Sequence, residues 1–178
     1  MDYHVLPAFV AKLRTLNSAA AQALTFLIYT GARLAEVRGL TWDEVDFDAK
    51  VWVIPAVRMK SGREHRVPLA PAAFAILIDA KKFSTGNFIF PGRSGKRPVT
   101  GQPVRNLVPP GATVHGFRSS FRDWCGEETV FPRELAEGAL AHVTGDETER
   151  SYRRLDALER RRELMTAWEK FLVTPVDN

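Results

Sequence analysis

The hydrophobic period of this chain changes twice, from helical to alternating and back to helical, and that order restricts the fold more than any other feature. The first forty residues read as helices. Pro7 can open one as its first residue, where a missing N–H costs nothing. A second runs through A-A-A-Q-A-L-T-F-L-I-Y-T to Gly31, placed to take the left-handed conformation that closes a helix. A third, R-L-A-E-V-R, stops at Gly39, and Thr41 with Glu44 three positions on has the form of a capping box. Short β-type runs follow: V-W-V-I at Val51–Ile54, H-R-V-P-L at residues 65–69 and F-I-F at 88–90, with a helix expected over 71–80. From Thr113 the pattern is helical again, and in the last helix Leu158, Met165, Trp168 and Leu172 form an apolar stripe. The expectation is an α+β domain, mostly α-helical, with a small three-stranded antiparallel sheet.

At 178 residues the chain is long enough for one domain with a core of its own. Its longest apolar segment, residues 69–78, is interrupted by Pro71 and falls well short of the ~20 residues that span a bilayer. The N-terminus M-D-Y-H-V-L-P-A-F-V lacks the basic region of a secretion signal, and one cysteine, Cys125, permits no internal disulfide. A cytoplasmic protein with no membrane partner is expected. Charge is unevenly spread. Residues 51–120 carry eleven basic and two acidic side chains, against five and six before them and nine and thirteen after. So basic a middle third points to a polyanion, with nucleic acid the first candidate.

Several residues carry chemistry. T-G-A-R-L-A-E puts Arg33 in the first turn of a helix with Glu36 three residues on. A cation there opposes the helix dipole, a local cost that marks functional sites, although a surface ion pair with Glu36 explains the pair as well. M-K-S-G-R places Lys60 beside a Ser-Gly turn between two strands, where a mobile side chain can enter a groove and donate a proton. H-G-F-R sets His115 and Arg118 on one helix face, while Phe117, Phe121 and Trp124 fall on another that anchors the helix. Near the end, A-L-A-H-V-T-G-D-E-T-E-R-S-Y-R-R contains His142 and, ten residues on, Tyr152 among arginines; Asp146 and Glu149 have the spacing of a helix cap just before it. Competing sites are poor. The four histidines lack metal-ligand spacing, and no Walker loop or dinucleotide fingerprint is present. The acidic run D-E-V-D-F-D at residues 43–48 reads as a helix cap and strand entry rather than a metal site.

Arg33, Lys60, His115, Arg118, His142 and Tyr152, taken in order, resemble the active-site set of the tyrosine recombinases, and most of all the integrases of prophages and integrative elements. The likeness runs from about Leu6 to Leu172 and is carried by T-G-A-R-L-A-E-V-R-G-L-T-W-D-E-V-D, M-K-S-G-R, H-G-F-R, A-L-A-H-V and S-Y-R-R. It implies that Tyr152 is the nucleophile, that His115 assists its deprotonation, and that Arg33 and Arg118 clamp the scissile phosphate. His142 would add a hydrogen bond to that phosphate, Lys60 would protonate the departing 5′-hydroxyl, and Glu36 would orient its neighbours. It further implies double-stranded DNA as partner, a 3′-phosphotyrosyl intermediate, and neither metal nor nucleotide cofactor. Type IB topoisomerases use similar groups, and a DNA-binding regulator with a vestigial site is a third class. The A-L-A-H-V motif and the tail favour recombination. Phe117 stands where the H-x-L-R form commonly has leucine. The core-binding and arm-binding domains of such integrases do not fit ahead of Arg33, so residues 1–178 are expected to be a single catalytic domain. Alone it should be a monomer, with tetramers confined to the full-length protein on DNA.

Overall fold

A computed structural model describes residues 1–142 and 154–174. Helix α1 is Leu6–Arg14, with Pro7 in its second position rather than its first. Helix α2, Ala19–Thr30, starts where the Ser18 hydroxyl accepts the Ala21 N–H at 3.2 Å, a hydrogen bond that satisfies one of the orphan donors of the first turn. Ala23, Leu24, Phe26, Leu27, Ile28 and Tyr29 are all buried, so α2 is apolar on every side and forms the centre of the domain. It ends at Gly31, whose φ of 64° is the left-handed geometry expected of that glycine. Helix α3, Leu34–Arg38, follows at once and closes at Gly39.

The sheet is antiparallel and three-stranded, in the order β1 (Val45–Asp46), β2 (Val51–Ile54), β3 (His65–Pro68). Trp52 pairs with Val45 on one side and Val67 on the other. The strand expected at residues 88–90 does not join it. Ile89 and Phe90 are both buried, and the segment crosses singly, with one bridge between Thr41 and Phe88 and isolated bonds from Ile89 N–H to Leu40 and from Val99 N–H to Phe90. The third strand is instead the acidic segment before β2, whose aspartates disfavour a β assignment from sequence. The capping box at Thr41 also fails to form. Glu44 turns away to accept from the Trp52 indole at 3.0 Å and from Arg58, and residues Trp42–Glu44 make a 3-10 turn that leads into β1.

Helix α4 is Pro71–Lys82, α5 is Gly101–Arg105, α6 is Gly116–Glu128, α7 is Arg133–Ala139 and α8 is Arg154–Val173. The expected stripe of α8 is covered: Leu158, Met165, Trp168 and Leu172 are buried against α1, α2, α7 and β3. Trp168 donates its indole N–H to Ile28 O at 2.9 Å and lies edge-on to Phe121. Polar ties add direction. Arg161 donates to Arg66 O on β3, and the buried Glu169 carboxylate accepts from Ala72 and Ala73 at the N-terminus of α4, where a negative charge is favoured. Cys125 is buried, which pushes its thiol up to about 12 and leaves it inert at neutral pH. No helix of the described residues is long and apolar enough to cross a membrane.

Candidate active site

Four helix ends meet at one place: the C-terminus of α2, the N-terminus of α3, the first turn of α6 and the C-terminus of α7. Arg33 is the extended residue just before α3 rather than a member of its first turn. Glu36, buried at the third helical position, accepts the Arg33 backbone N–H at 2.7 Å and its guanidinium at 2.8 Å. The pair resolves the dipole conflict read from the sequence, because the carboxylate sits in the first turn where negative charge is favoured and neutralises the arginine beside it. It is not a surface ion pair, since the Glu36 side chain is 5% exposed against 27% for Arg33. Arg58 supports it from behind by donating to Glu36 O at 2.5 Å and to the Glu44 carboxylate.

Arg118 is turned inward. Phe117, Phe121 and Trp124 bury one side of α6 as expected, but Arg118 is also only 3% exposed. Its guanidinium donates to Gly31 O at the end of α2, to Leu140 O after α7 at 2.6 Å and to His142 Nε2 at 3.2 Å. Its buried Nε–H has no partner among the described residues. Burial, and then the neighbouring Arg33, hold its pKa down at about 10, still high enough to keep it cationic at neutral pH.

His142 is placed by the way α7 stops. The Ala141 N–H bonds to Gly138 O and the His142 N–H to Glu137 O, the paired closing bonds of a Schellman turn, with Ala141 in the left-handed position at φ 52°. The imidazole then lies between two partners, with Nδ1 against the Glu137 carboxylate and Nε2 against Arg118. Arginine can only donate, so Nε2 accepts and Nδ1 carries the hydrogen that Glu137 receives. Arg33, Arg118 and His142 thus come together with Glu36 and Glu137 balancing their charge.

The other candidates stand differently. His115 is the residue before α6 and its imidazole is exposed, so it does not share an outward face with the buried Arg118. Lys60 is exposed in the β2–β3 connection, two residues before Gly62, which turns the chain at φ 65°. That connection is longer than a tight hairpin and contains a 3-10 turn at Ala56–Arg58. Tyr152, with Asp146 and Glu149, lies outside the described residues. Along the chain, no acidic residue occurs from Lys81 to Arg122, and Arg93, Lys96, Arg97 and Arg105 are exposed within that stretch.

The sequence profile of the Phage integrase family matches residues 1–159. The chain belongs to that family. Prophage integrase IntA of Escherichia coli (strain K12) is 40% identical over 172 residues, 92% of this chain and 41% of IntA. The integrase of Shigella phage Sf6 is 29% identical over 177 residues, 94% of this chain and 46% of the phage protein. The chain therefore spans less than half the length of these relatives. Among solved structures, XerA recombinase superposes with a TM-score of 0.62 at 12% identity, covering 85% of this chain and 61% of that one. The Tn1549 transposon integrase, in complex with a circular intermediate DNA, gives 0.58 at 15% identity over 83% of this chain and 62% of its own. The fold is that of a tyrosine recombinase catalytic domain.

Two residues of this integrase domain escape a reading of its sequence. Glu137 stands five positions before His142, and only the turn at Ala141 reveals why that spacing matters. His65, at the start of β3, has Nε2 3.3 Å from Ala139 O. Burial, and then Arg161, depress its pKa to about 4, and the charges of Glu36 and Arg33 also reach it. Its position facing α7 across the site is a tertiary fact with no local signal.

Proposed function

We propose that this chain is the catalytic domain of a site-specific recombinase that cuts and rejoins double-stranded DNA through a 3′-phosphotyrosyl intermediate. The observation that carries this reading is the convergence of Arg33, Arg118 and His142 at the joined ends of α2, α3, α6 and α7. Such a cluster meets the need of phosphoryl transfer, which depends on fixed positive charge and hydrogen-bond donors facing the phosphate oxygens. Family membership and the exposed cations between Lys81 and Arg122 support DNA as the substrate.

In this proposal the Tyr152 Oη attacks the scissile phosphorus, His115 takes the phenolic proton, and the bond to the 5′ oxygen breaks as Lys60 protonates that oxygen. Arg33 and Arg118 bind the non-bridging oxygens, His142 adds a hydrogen bond, and Glu36 holds Arg33. A phenol with a pKa near 10 is only about 0.1% ionised at neutral pH, so both the base and the positive field are needed. The intermediate conserves the bond energy, and a 5′-hydroxyl of another strand reverses the step. Neither metal nor nucleotide takes part. The isolated domain binds DNA weakly and with steep salt dependence as a monomer, and tetramers belong to the longer protein on DNA.

The test is incubation of the chain with negatively supercoiled plasmid in the presence of a chelator, followed by denaturation. A denaturant-stable protein–DNA adduct is expected with the wild type and not with Tyr152→Phe. An adduct formed equally by the Phe variant would refute the assignment.

A further inference from the structure

We infer that Glu137 is the positioning residue of this site, holding His142 in the tautomer and orientation that turn Nε2 toward the arginines. The inference rests on the recombinase reading above. Glu137 grips His142 twice, through its backbone carbonyl, which accepts the His142 N–H at 2.9 Å, and through its carboxylate at Nδ1. Both contacts exist because Ala141 adopts the left-handed conformation and folds the chain back over the last turn of α7. A non-glycine residue in that conformation costs ~1–2 kcal/mol, which the closing bonds and the histidine contacts offset.

Burial separates this contact from an ordinary surface pair. The Glu137 side chain is 10% exposed, whereas its other ionic neighbour, Arg133, is 83% exposed and stands at 3.9 Å. A desolvated carboxylate is a poor device for stability alone, since its loss of hydration outweighs a weak exposed partner. A desolvated carboxylate behind an imidazole is a good device for orientation, because it fixes which nitrogen carries the hydrogen and which faces the reacting group.

The same arrangement sets up the step in which phosphate arrives. At rest, Nε2 accepts from Arg118. An anionic oxygen entering beside Arg118 takes a hydrogen bond from Nε2 only when that nitrogen holds a proton, which comes from solvent. The positive charge then on the ring faces Glu137 directly. The charged groups around the ring are Arg118 on α6, Arg133 and Glu137 on α7, and Arg33 with Glu36 at α3, with His65 on β3 beyond them. Glu137 is the carboxylate in contact with the imidazole, so it balances the charge that the arginines oppose.

The experiment follows the imidazole nitrogens of His142 by nitrogen-15 NMR in the full chain, for the wild type, Glu137→Gln and Glu137→Ala, alongside adduct formation on supercoiled plasmid. The wild type should carry its hydrogen on Nδ1. The Gln variant should keep that tautomer, because its amide oxygen still accepts, while the Ala variant should lose it. Adduct formation should slow roughly 10–100-fold in the Gln variant, the scale on which a carboxylate supporting a functional imidazole acts, with the half-saturating plasmid concentration unchanged. An Ala variant that keeps the Nδ1 hydrogen, or a Gln variant that forms adduct as fast as the wild type, overturns the inference. Should the wild type itself give no adduct, the recombinase reading fails, and the tautomer measurement still decides whether Glu137 orients His142. If the Ala variant does not fold, the rate of the Gln variant decides alone.

Discussion

Replacing Arg118 with lysine keeps the charge and tests how tightly this side chain is fastened. The guanidinium donates to two carbonyls at the ends of two different helices, Gly31 O and Leu140 O, and also to His142. A single ammonium can reach one of those carbonyls. The other is left buried without a donor, which costs ~1–3 kcal/mol, and a charge-assisted bond worth ~1.5–3 kcal/mol disappears with it. These two quantities overlap, and the lysine brings a more strongly hydrated charge into a site where the arginine is 3% exposed. The expected loss is therefore about 2–4 kcal/mol, or a fall of roughly 5–15 °C in Tm for a chain of this size. Denaturant unfolding should show a lower midpoint with an unchanged slope, and amide exchange should accelerate at the ends of α2 and α7 before the centre of α2. A loss below about 0.5 kcal/mol would refute the reasoning, because it would mean that Arg118 does not tie these helix ends together.

Other outcomes follow from the same structure. His65 has its pKa depressed from 6.5 to about 4, so below 6.5 the unfolded chain binds a proton that the native protein refuses. Stability from this group is complete above 6.5 and is lost as pH falls toward 4, by roughly 3 kcal/mol in all, and His65→Gln should flatten that part of the stability–pH curve relative to the wild type. Ala141→Gly should raise stability by ~0.5–1 kcal/mol by relieving the left-handed alanine, read as a higher unfolding midpoint. Lys60→Ala should slow cleavage of ordinary DNA by roughly 10²–10⁴-fold, the range for a lost general acid. A substrate with sulfur as the 5′ bridging atom needs no protonation and should recover most of that rate; equal impairment on both substrates would assign Lys60 to phosphate binding.

The sequence was most legible where one signal sufficed. Gly31 needed only its place after an apolar run, and the Leu158–Leu172 stripe needed only its period. It was least legible where burial depends on partners far along the chain. The strand Val45–Asp46 is hidden by the aspartates in and around it and exists because Trp52 and Val51 pair with it. Residues 88–90 look like a strand because Ile89 and Phe90 are apolar, yet that apolarity serves the core and no full ladder forms. At the site, residue types and their order singled out Arg33, Arg118 and His142, which the structure brings together, but helical spacing alone put Arg118 on an open face with His115. The carbonyls of Gly31 and Leu140 that draw it inward come from other helices. Glu137 was missed for the same reason, since its role depends on a left-handed alanine that composition does not announce.

The central claim is that Tyr152 becomes covalently joined to a 3′ phosphate of DNA. Its most direct test is to trap the adduct with supercoiled plasmid, digest both protein and DNA, and sequence the nucleotide-bearing peptide by mass spectrometry. The account predicts a single modified peptide, E-R-S-Y-R-R or a fragment of it, with the nucleotide on Tyr152 joined through its 3′ phosphate. Modification of Tyr3 or Tyr29, attachment through a 5′ phosphate, or strand cleavage with no protein attached would contradict it.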